Sequence, residues 1–234
     1  MEKPGKFSAW ILAGLGFAAV AVPWLGIISV AIFLPPILPT LRELGPLLAV
    51  PYILLAGLLV GLALAPTHLT SLLSGYLFGA LLGIPVACLA VGIGTMIGFH
   101  TARKLARTRL RELLDQSRWG RLLLGEMIDT SPWKAAAAIT LARLPPQVPF
   151  AVGNLLAASA RAPLAPVLVG TLVGMFPRVA LVALVGSQLA EWKPGAPVPS
   201  GLIWTGAATA IGFGSLALWG AAILRRKGSQ DRSR

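Results

Sequence analysis

No aspartate or glutamate lies inside any long apolar run of this chain; its eight acids are Glu2, Glu43, Glu112, Asp115, Glu126, Asp129, Glu191 and Asp231. A membrane-embedded carboxylate dyad for proteolysis is thereby excluded. Cysteine is almost as scarce. Cys88 is the only one, so there is no disulfide within the chain and no multi-cysteine metal site. The Gly-x-Ser-x-Gly elbow, the His-Glu-x-x-His zinc pair and the Walker loop are missing as well. With so few groups for catalysis, neither an enzyme nor a bound cofactor or metal is expected.

What the chain has instead is uncharged length. From Leu44 to Ala102 there are 59 residues without Asp, Glu, Lys or Arg. As helix this stretch would run roughly 88 Å, nearly three thicknesses of a ~30 Å hydrocarbon core. Water cannot be its solvent. At 56% hydrophobic and a mean hydropathy of +0.79, no separate soluble domain fits, and the chain reads as one polytopic, all-α membrane unit. The net charge of +12 does not point to nucleic acid. Its basic residues flank apolar runs, eight from Arg103 to Lys134 and five from Arg225 to Arg234, without interleaved aromatics.

Ser8 to Leu34 is long enough to cross and is ended by Pro35-Pro36. Lys3 and Lys6, with Ala19-Val20-Ala21, imitate a signal peptide, but the run exceeds an ordinary signal core and reads as an uncleaved first span. Pro46 to Ala65 is apolar, Pro66-Thr67-His68 interrupts, and Leu69 to Gly83 is too short to cross comfortably. Three separate crossings are one reading. The other, favoured by the Pro and Gly content, is a re-entrant hairpin from Pro46 to Gly83 and one crossing from Ile84 to about His100. Thr101 to Arg118 has the periodicity of an interfacial helix. Ala135 to Ala160, broken at Pro145-Pro146-Gln147-Val148-Pro149, reads as a second hairpin. Leu164 to Leu189 then crosses, with Pro177 and Arg178 near its middle, and Gly201 to Leu224 forms a final span.

Three regions follow: 1–45 with the first span, a membrane core at 46–189, and 190–234 with the last span and a basic tail. About four full transmembrane helices are expected. Counting Lys and Arg in the loops places both termini and the Arg103 to Lys134 segment in the cytoplasm, for a multi-pass protein of the cytoplasmic membrane. Gly94-Thr95-Met96-Ile97-Gly98 recurs as Gly170-Thr171-Leu172-Val173-Gly174, each time in a span that follows a broken hairpin. Such an echo is read either as an inverted repeat with oppositely oriented hairpins or as a general helix-packing device.

Arg143 is the most costly residue in the chain, since guanidinium near a bilayer centre costs about 2.5 to 3.5 kcal/mol on insertion scales and stays charged. It either binds an anionic headgroup through its forked donors or ties down hairpin carbonyls. Arg178 offers a second anion contact or a brace for the Pro177 break. Asn154, Gln147 and Thr171 are neutral hydrogen-bonding groups near the same breaks, with helix or turn stabilisation as their default role. His68 and His100 titrate near neutrality, or simply sit at interfaces.

Gly75-Tyr76-Leu77-Phe78-Gly79 with Gly83, Gly94 to Gly98 and Thr101-Ala102-Arg103 resembles the first signature of the SNARE-associated Golgi protein family, whose bacterial members group with the DedA superfamily. Arg143-Leu144-Pro145-Pro146-Gln147-Val148-Pro149-Phe150 with Asn154, Gly170, Gly174 and Pro177 is similar to that family's arginine-proline hairpin. The resemblance implies two facing re-entrant hairpins and movement of lipids between leaflets, with polyprenyl phosphates and phospholipids among the substrates. By position it assigns Arg143 to the hairpin arginine, Gly75, Phe78 and Gly79 to the first hairpin, and Asn154 to the second. The acids that proton-driven DedA members carry in the first hairpin are absent, which favours passive scrambling or a histidine-linked mechanism.

The expectation is a flippase or scramblase for a phosphate-bearing lipid, with membrane lipids as partners and homo-oligomerisation left open. Its substrate-binding candidates are Arg143, Arg178, Asn154, Gln147, His68, Gly75, Phe78, Gly79, Pro145 and Pro149. A transporter or channel for a small ion or solute is the alternative, and a structural protein that organises lipid a third.

Overall fold

The computed structural model describes residue 34, residues 36–105, 131–144 and 149–192, and positions 197, 200, 201, 203, 204, 207 and 211. The expected first span, nearly all of the final span, most of the Thr101 to Arg118 helix, and Pro145 and Gln147 lie outside the described residues.

Among the described residues every regular element is helical. A short α1, Leu38–Glu43, and a 3₁₀ turn, Gly45–Leu48, lead into α2, Ala49–Gly61. Pro51 is tolerated because it falls in the first turn of α2, where backbone donors have no partner to lose. The chain turns through 62–66, with Ala63 at φ 59°, and enters α3, Thr67–Leu105. α4 is Pro132–Arg143, α5 is Phe150–Ser159, and α6 is Leu164–Glu191.

α3 is two helices in one. Gly79 breaks it with φ 73° and ψ −179°, a backbone state that an L side chain rarely adopts. The break is a sharp reversal, since Ser74 Oγ donates to the Gly83 carbonyl at 2.7 Å and a Cβ on Gly83 would sit 2.9 Å from Gly75 Cα. Pro85, by contrast, lies inside the helix that follows. The arm before Gly79 is about 18 Å long and the arm after it about 39 Å. Thr101 to Leu105 continue this second arm, so the charged segment begins as an extension of α3 and not as a separate helix at Thr101.

Small residues set how closely the helices approach. A Cβ on Gly57 or Gly61 would lie 2.7 Å from the side chains of Ile93 or Ile97, and one on Gly94 would meet Val60 at 2.9 Å. α2 therefore lies along the second arm of α3 and runs parallel to it. In the same way α4 is seated on α6, where a Cβ on Gly170 or Gly174 would fall 2.6 Å from the carbonyl of Ala136 or Thr140. Both copies of the Gly-Thr-x-x-Gly echo thus serve as seats for the short helix that precedes them, a close-packing use of small residues.

The second arm of α3 and α6 form the antiparallel spine. Phe99 and Ala102 share a buried cluster with Val167, Gly92 faces Leu172, and Ala87 and Val91 pack with Met175 and Val179. This register brings Thr95 opposite Thr171, both wholly buried. The first arm of α3 crosses α6 at Gly75 and Gly186, where a Cβ on either glycine would overlap the main chain of Ala183 or Leu72.

The outside of the assembly is apolar. Leu47 is 85% exposed and Leu81 94%, and Leu54, Leu89, Val173 and Phe176 are exposed too. α3 and α6 are by length and composition apolar enough to cross a membrane, whereas α2, α4 and α5, of 13, 12 and 10 residues, fall short of a ~30 Å core.

Candidate functional site

Arg143 ends α4 and is only 4% exposed, an unusual position for a side chain that holds its charge. Its Cβ is packed on Gly174 of α6, which aims the guanidinium across to α5. There Nη1 donates to the Phe150 carbonyl at 3.0 Å and Nη2 to Asn154 Oδ1 at 2.5 Å, while Cζ stands 5.1 Å from the centre of the Phe150 ring. Gly153 makes this possible, because a Cβ there would overlap the guanidinium.

The acceptors are both neutral, so the hydrogen bonds are satisfied without the charge being cancelled. Neither Arg143 nor Arg178 has a carboxylate partner among the described residues, whose two acids, Glu43 and Glu191, are exposed. A second guanidinium lies close by: Arg178 follows Pro177 in α6, one turn beyond the Gly174 on which the Arg143 Cβ is packed. Guanidinium has five N–H donors, of which two are used by Arg143, leaving three for an anion.

Buried polar groups around it are incompletely paired. Among the described residues, Asn154 Nδ2, Thr171 Oγ1 and Ser159 Oγ have no hydrogen-bond partner. The Asn154 amide is wedged at Gly98, where a Cβ would lie 2.5 Å from Nδ2 and 3.1 Å from the Gly61 carbonyl. Gly98 is therefore where the end of α2 and the middle of α5 approach one another.

The sequence candidates divide accordingly. Arg143 and Asn154 are joined by a hydrogen bond, with Arg178 one turn along α6 from the Gly174 seat, His68 exposed near the start of α3, and Pro149 preceding α5 as its N-cap. Gly75 and Phe78 are engaged elsewhere, and Gly79 makes the break in α3. Gly75 is pressed on Ala183 of α6. Phe78 meets the Tyr52 ring edge-on at 5.5 Å, and Tyr52 Oη donates to the Thr70 carbonyl. His100 is exposed and bonded to the Met96 carbonyl at 2.8 Å. Phe150 and Gly153 are the residues that sequence reasoning missed, and the signal for Gly153 was a glycine just past a proline break, the usual mark of close approach.

A helical body with an apolar exterior, two helices of spanning length and a cation held among half-length helices defines a membrane protein of transporter-like type. The family model for the VTT domain matches residues 65–188, more than half of the chain, and takes in every element from α3 to all but the end of α6. The chain belongs to this family, the SNARE-associated and DedA domain family. No curated protein and no solved structure matches it.

Proposed function

We propose that this protein moves a phosphate-bearing lipid, such as a polyprenyl phosphate or a phospholipid, between the leaflets of the cytoplasmic membrane. In this reading α2 with the first arm of α3, and α4 with α5, enter the membrane from opposite faces as re-entrant hairpins, and both chain termini are cytoplasmic. The observation that carries it is the buried Arg143 guanidinium, with Arg178 one turn beyond its seat on Gly174, and no carboxylate among the described residues to answer it. An excess of positive charge inside an apolar body favours an anion strongly, and a lipid phosphate meets that demand while its tail stays in hydrocarbon.

Crossing hydrocarbon unaided is prohibitive for a phosphate because its charge loses hydration without compensation. Arg143 supplies forked donors at mid-path, and the neutral acceptors Phe150 O and Asn154 Oδ1 hold the fork in place when the lipid is absent. An anion therefore does not compete with a carboxylate for the guanidinium, which allows it to leave as well as to arrive. With no acid in the described core, this reading favours passive scrambling or a histidine-linked mechanism over carboxylate-based proton coupling.

The test is reconstitution into liposomes with headgroup-labelled lipid, comparing the native protein with Arg143→Ala. Native vesicles expose inner-leaflet label to an external quencher faster than empty vesicles, and the variant does not. If soluble solute crosses while labelled lipid moves no faster than in empty vesicles, the ion or solute reading replaces this one.

A further inference from the structure

The two ends of the spine differ in charge. Where the second arm of α3 finishes, Phe99 and Ala102 share a buried cluster with Ala160 and Ala162 of the turn between α5 and α6, Val167 of α6 and Ile139 of α4. Chain continuity brings Arg103 and Lys104 to this end, one residue and two beyond Ala102, and Arg161 between the two turn alanines. Lys134 joins them, because Ala136 lies against Gly170 and α4 therefore starts level with the start of α6. All four cations are exposed, and Arg103 Cζ is steadied 5.6 Å from the centre of the Phe99 ring. At the other end Arg42 Nη1 donates to the Ala190 carbonyl at 2.9 Å, which sets Glu43 and Glu191, the two acids of the described residues, at that end. From Val167 to Glu191 is about 36 Å of helix, a little more than a ~30 Å hydrocarbon core. Tryptophan marks both levels. Trp133, 78% exposed, stands beside Lys134, and Trp192 follows α6 at the far end, as indole rings do at the two interfaces of a bilayer.

We propose that the basic end is a docking surface for the anionic headgroups of the leaflet it meets, separate from the Arg143 site and independent of any transport. Charge complementarity decides the partner: exposed cations at the rim of an apolar wall fit an amphiphile with a negative end. The chain cannot neutralise this end by itself. From Arg103 to Lys134 there are eight basic residues against Glu112, Asp115, Glu126 and Asp129, so even with every acid paired four positive charges remain, or five with Arg161. The helix ends add to the same sign, since α4 and α6 both begin here without a side-chain cap and without an acid in the first turn. Arg143 is a different place. Its seat on Gly174 lies about 10 Å along α6 from Val167, and its guanidinium is buried where these four are in contact with the exterior. The surface holds a shell of anionic lipid at one end only, and so fixes the depth and orientation of the spine.

Spin-labelled lipids test this without a transport assay. The full chain is placed in phosphatidylcholine vesicles with a trace of phosphatidylglycerol or phosphatidylcholine labelled near the chain end, and the resonance spectrum gives the fraction of each immobilised at the protein. Phosphatidylglycerol is preferred by about fivefold at low salt, the ratio that the attraction of a single surface cation sustains. The preference falls toward one at about 1 M salt, where charges are screened beyond ~3 Å. Arg103→Gln, Lys104→Gln and Arg161→Gln combined remove most of it. Arg103→Lys with Arg161→Lys keeps it, because charge and not the guanidinium fork is required, and Arg42→Gln at the opposite end and Arg143→Ala keep it too.

Equal immobilisation of the two lipids by the native protein overturns the proposal, as does a preference that salt leaves unchanged. The salt titration needs no variant, so a misfolded triple mutant does not decide the matter. A preference that survives the triple substitution and disappears in Arg143→Ala also overturns it, because the anionic lipid is then held at the buried site. The preference kept in vesicles that move no lipid supports the surface and refutes the transport reading alone.

Discussion

The two halves of the spine use the same backbone plan and differ in how they treat polar groups. In the first, α2 is seated on Gly94 and Gly98 of α3; in the second, α4 is seated on Gly170 and Gly174 of α6. Thr95 and Thr171 occupy matching places where the two long helices cross. Yet the buried hydroxyls of the first half are satisfied: Thr70 and Ser71 donate to the Thr67 carbonyl, Ser74 to Gly83, and Thr95 to Val91. Among the described residues, the second half leaves Asn154 Nδ2, Ser159 Oγ and Thr171 Oγ1 unpaired and holds Arg143 without a counter-ion. Local inconsistency of this kind collects where function requires it, so the first half reads as scaffold and the second as the site.

The sharpest way to break that contrast is to remove the charge. Arg143→Ala should bring lipid transport down to the rate of empty vesicles, while Ser71→Ala, the loss of a satisfied buried hydroxyl in the first half, should leave the rate unchanged and lower stability by about 1 kcal/mol. A transport defect in both variants would mean that the halves share the work. Arg143→Lys gives an intermediate result, because a point charge keeps the attraction and loses the fork.

A more discriminating change makes the second half resemble a satisfied one. Asn154→Asp places a carboxylate 2.5 Å from Nη2, where the amide oxygen now stands. The internal ion pair should exclude an external anion, and transport should fall by about tenfold or more with the melting temperature held or raised. Retained transport would show that the unanswered charge is incidental.

Much of this contrast was legible in the chain itself. Arg143 stands out in any reading, since a lone guanidinium in an uncharged run has to be accounted for, and the Pro145 to Pro149 break predicted the end of α4 correctly. The repeated Gly-Thr-x-x-Gly marked both seats. The location of the break in α3 was not legible. Six glycines and Pro85 compete for it between residues 75 and 98, and only the main-chain angles single out Gly79. Pro85, the strongest breaker in the run by residue type, lies inside the helix that follows the break. Nor could the sequence give the partners of Arg143. Phe150 O and Asn154 Oδ1 reach it only because α5 lies against the end of α4, and that is a tertiary fact.

Packing separates the halves by a smaller margin. Gly98→Ala places a methyl group against the Asn154 amide and the Gly61 carbonyl, where it disturbs both the meeting point of α2 and α5 and the Arg143 partner. A loss of about 1 to 3 kcal/mol in thermal unfolding is expected, as for overpacking elsewhere, with slower transport. Gly92→Ala on the same helix meets only Leu172 Cδ2 at 3.7 Å, an ordinary contact, and should be silent in both measurements.

The smallest effect is also the one whose sign separates the halves. Thr95 and Thr171 are both wholly buried, but Thr95 Oγ1 donates to the Val91 carbonyl at 2.8 Å and Thr171 Oγ1 has no partner. Valine replaces the hydroxyl by a methyl group of similar shape. At Thr95 this removes a made hydrogen bond and should destabilise by about 1 kcal/mol, whereas at Thr171 it removes an unmade one and should stabilise by a similar amount. Tryptophan-detected unfolding of the two single variants reads the difference directly. Equal destabilisation would mean that Thr171 has a partner in the membrane, and then lipid or water in the resting protein already answers the polar group that distinguishes the second half. A gain at Thr171 with transport unchanged would confine the working part of the site to Arg143 and Asn154. The same gain accompanied by slower transport would extend the lipid path along α6 from Arg178 to the crossing of the two long helices.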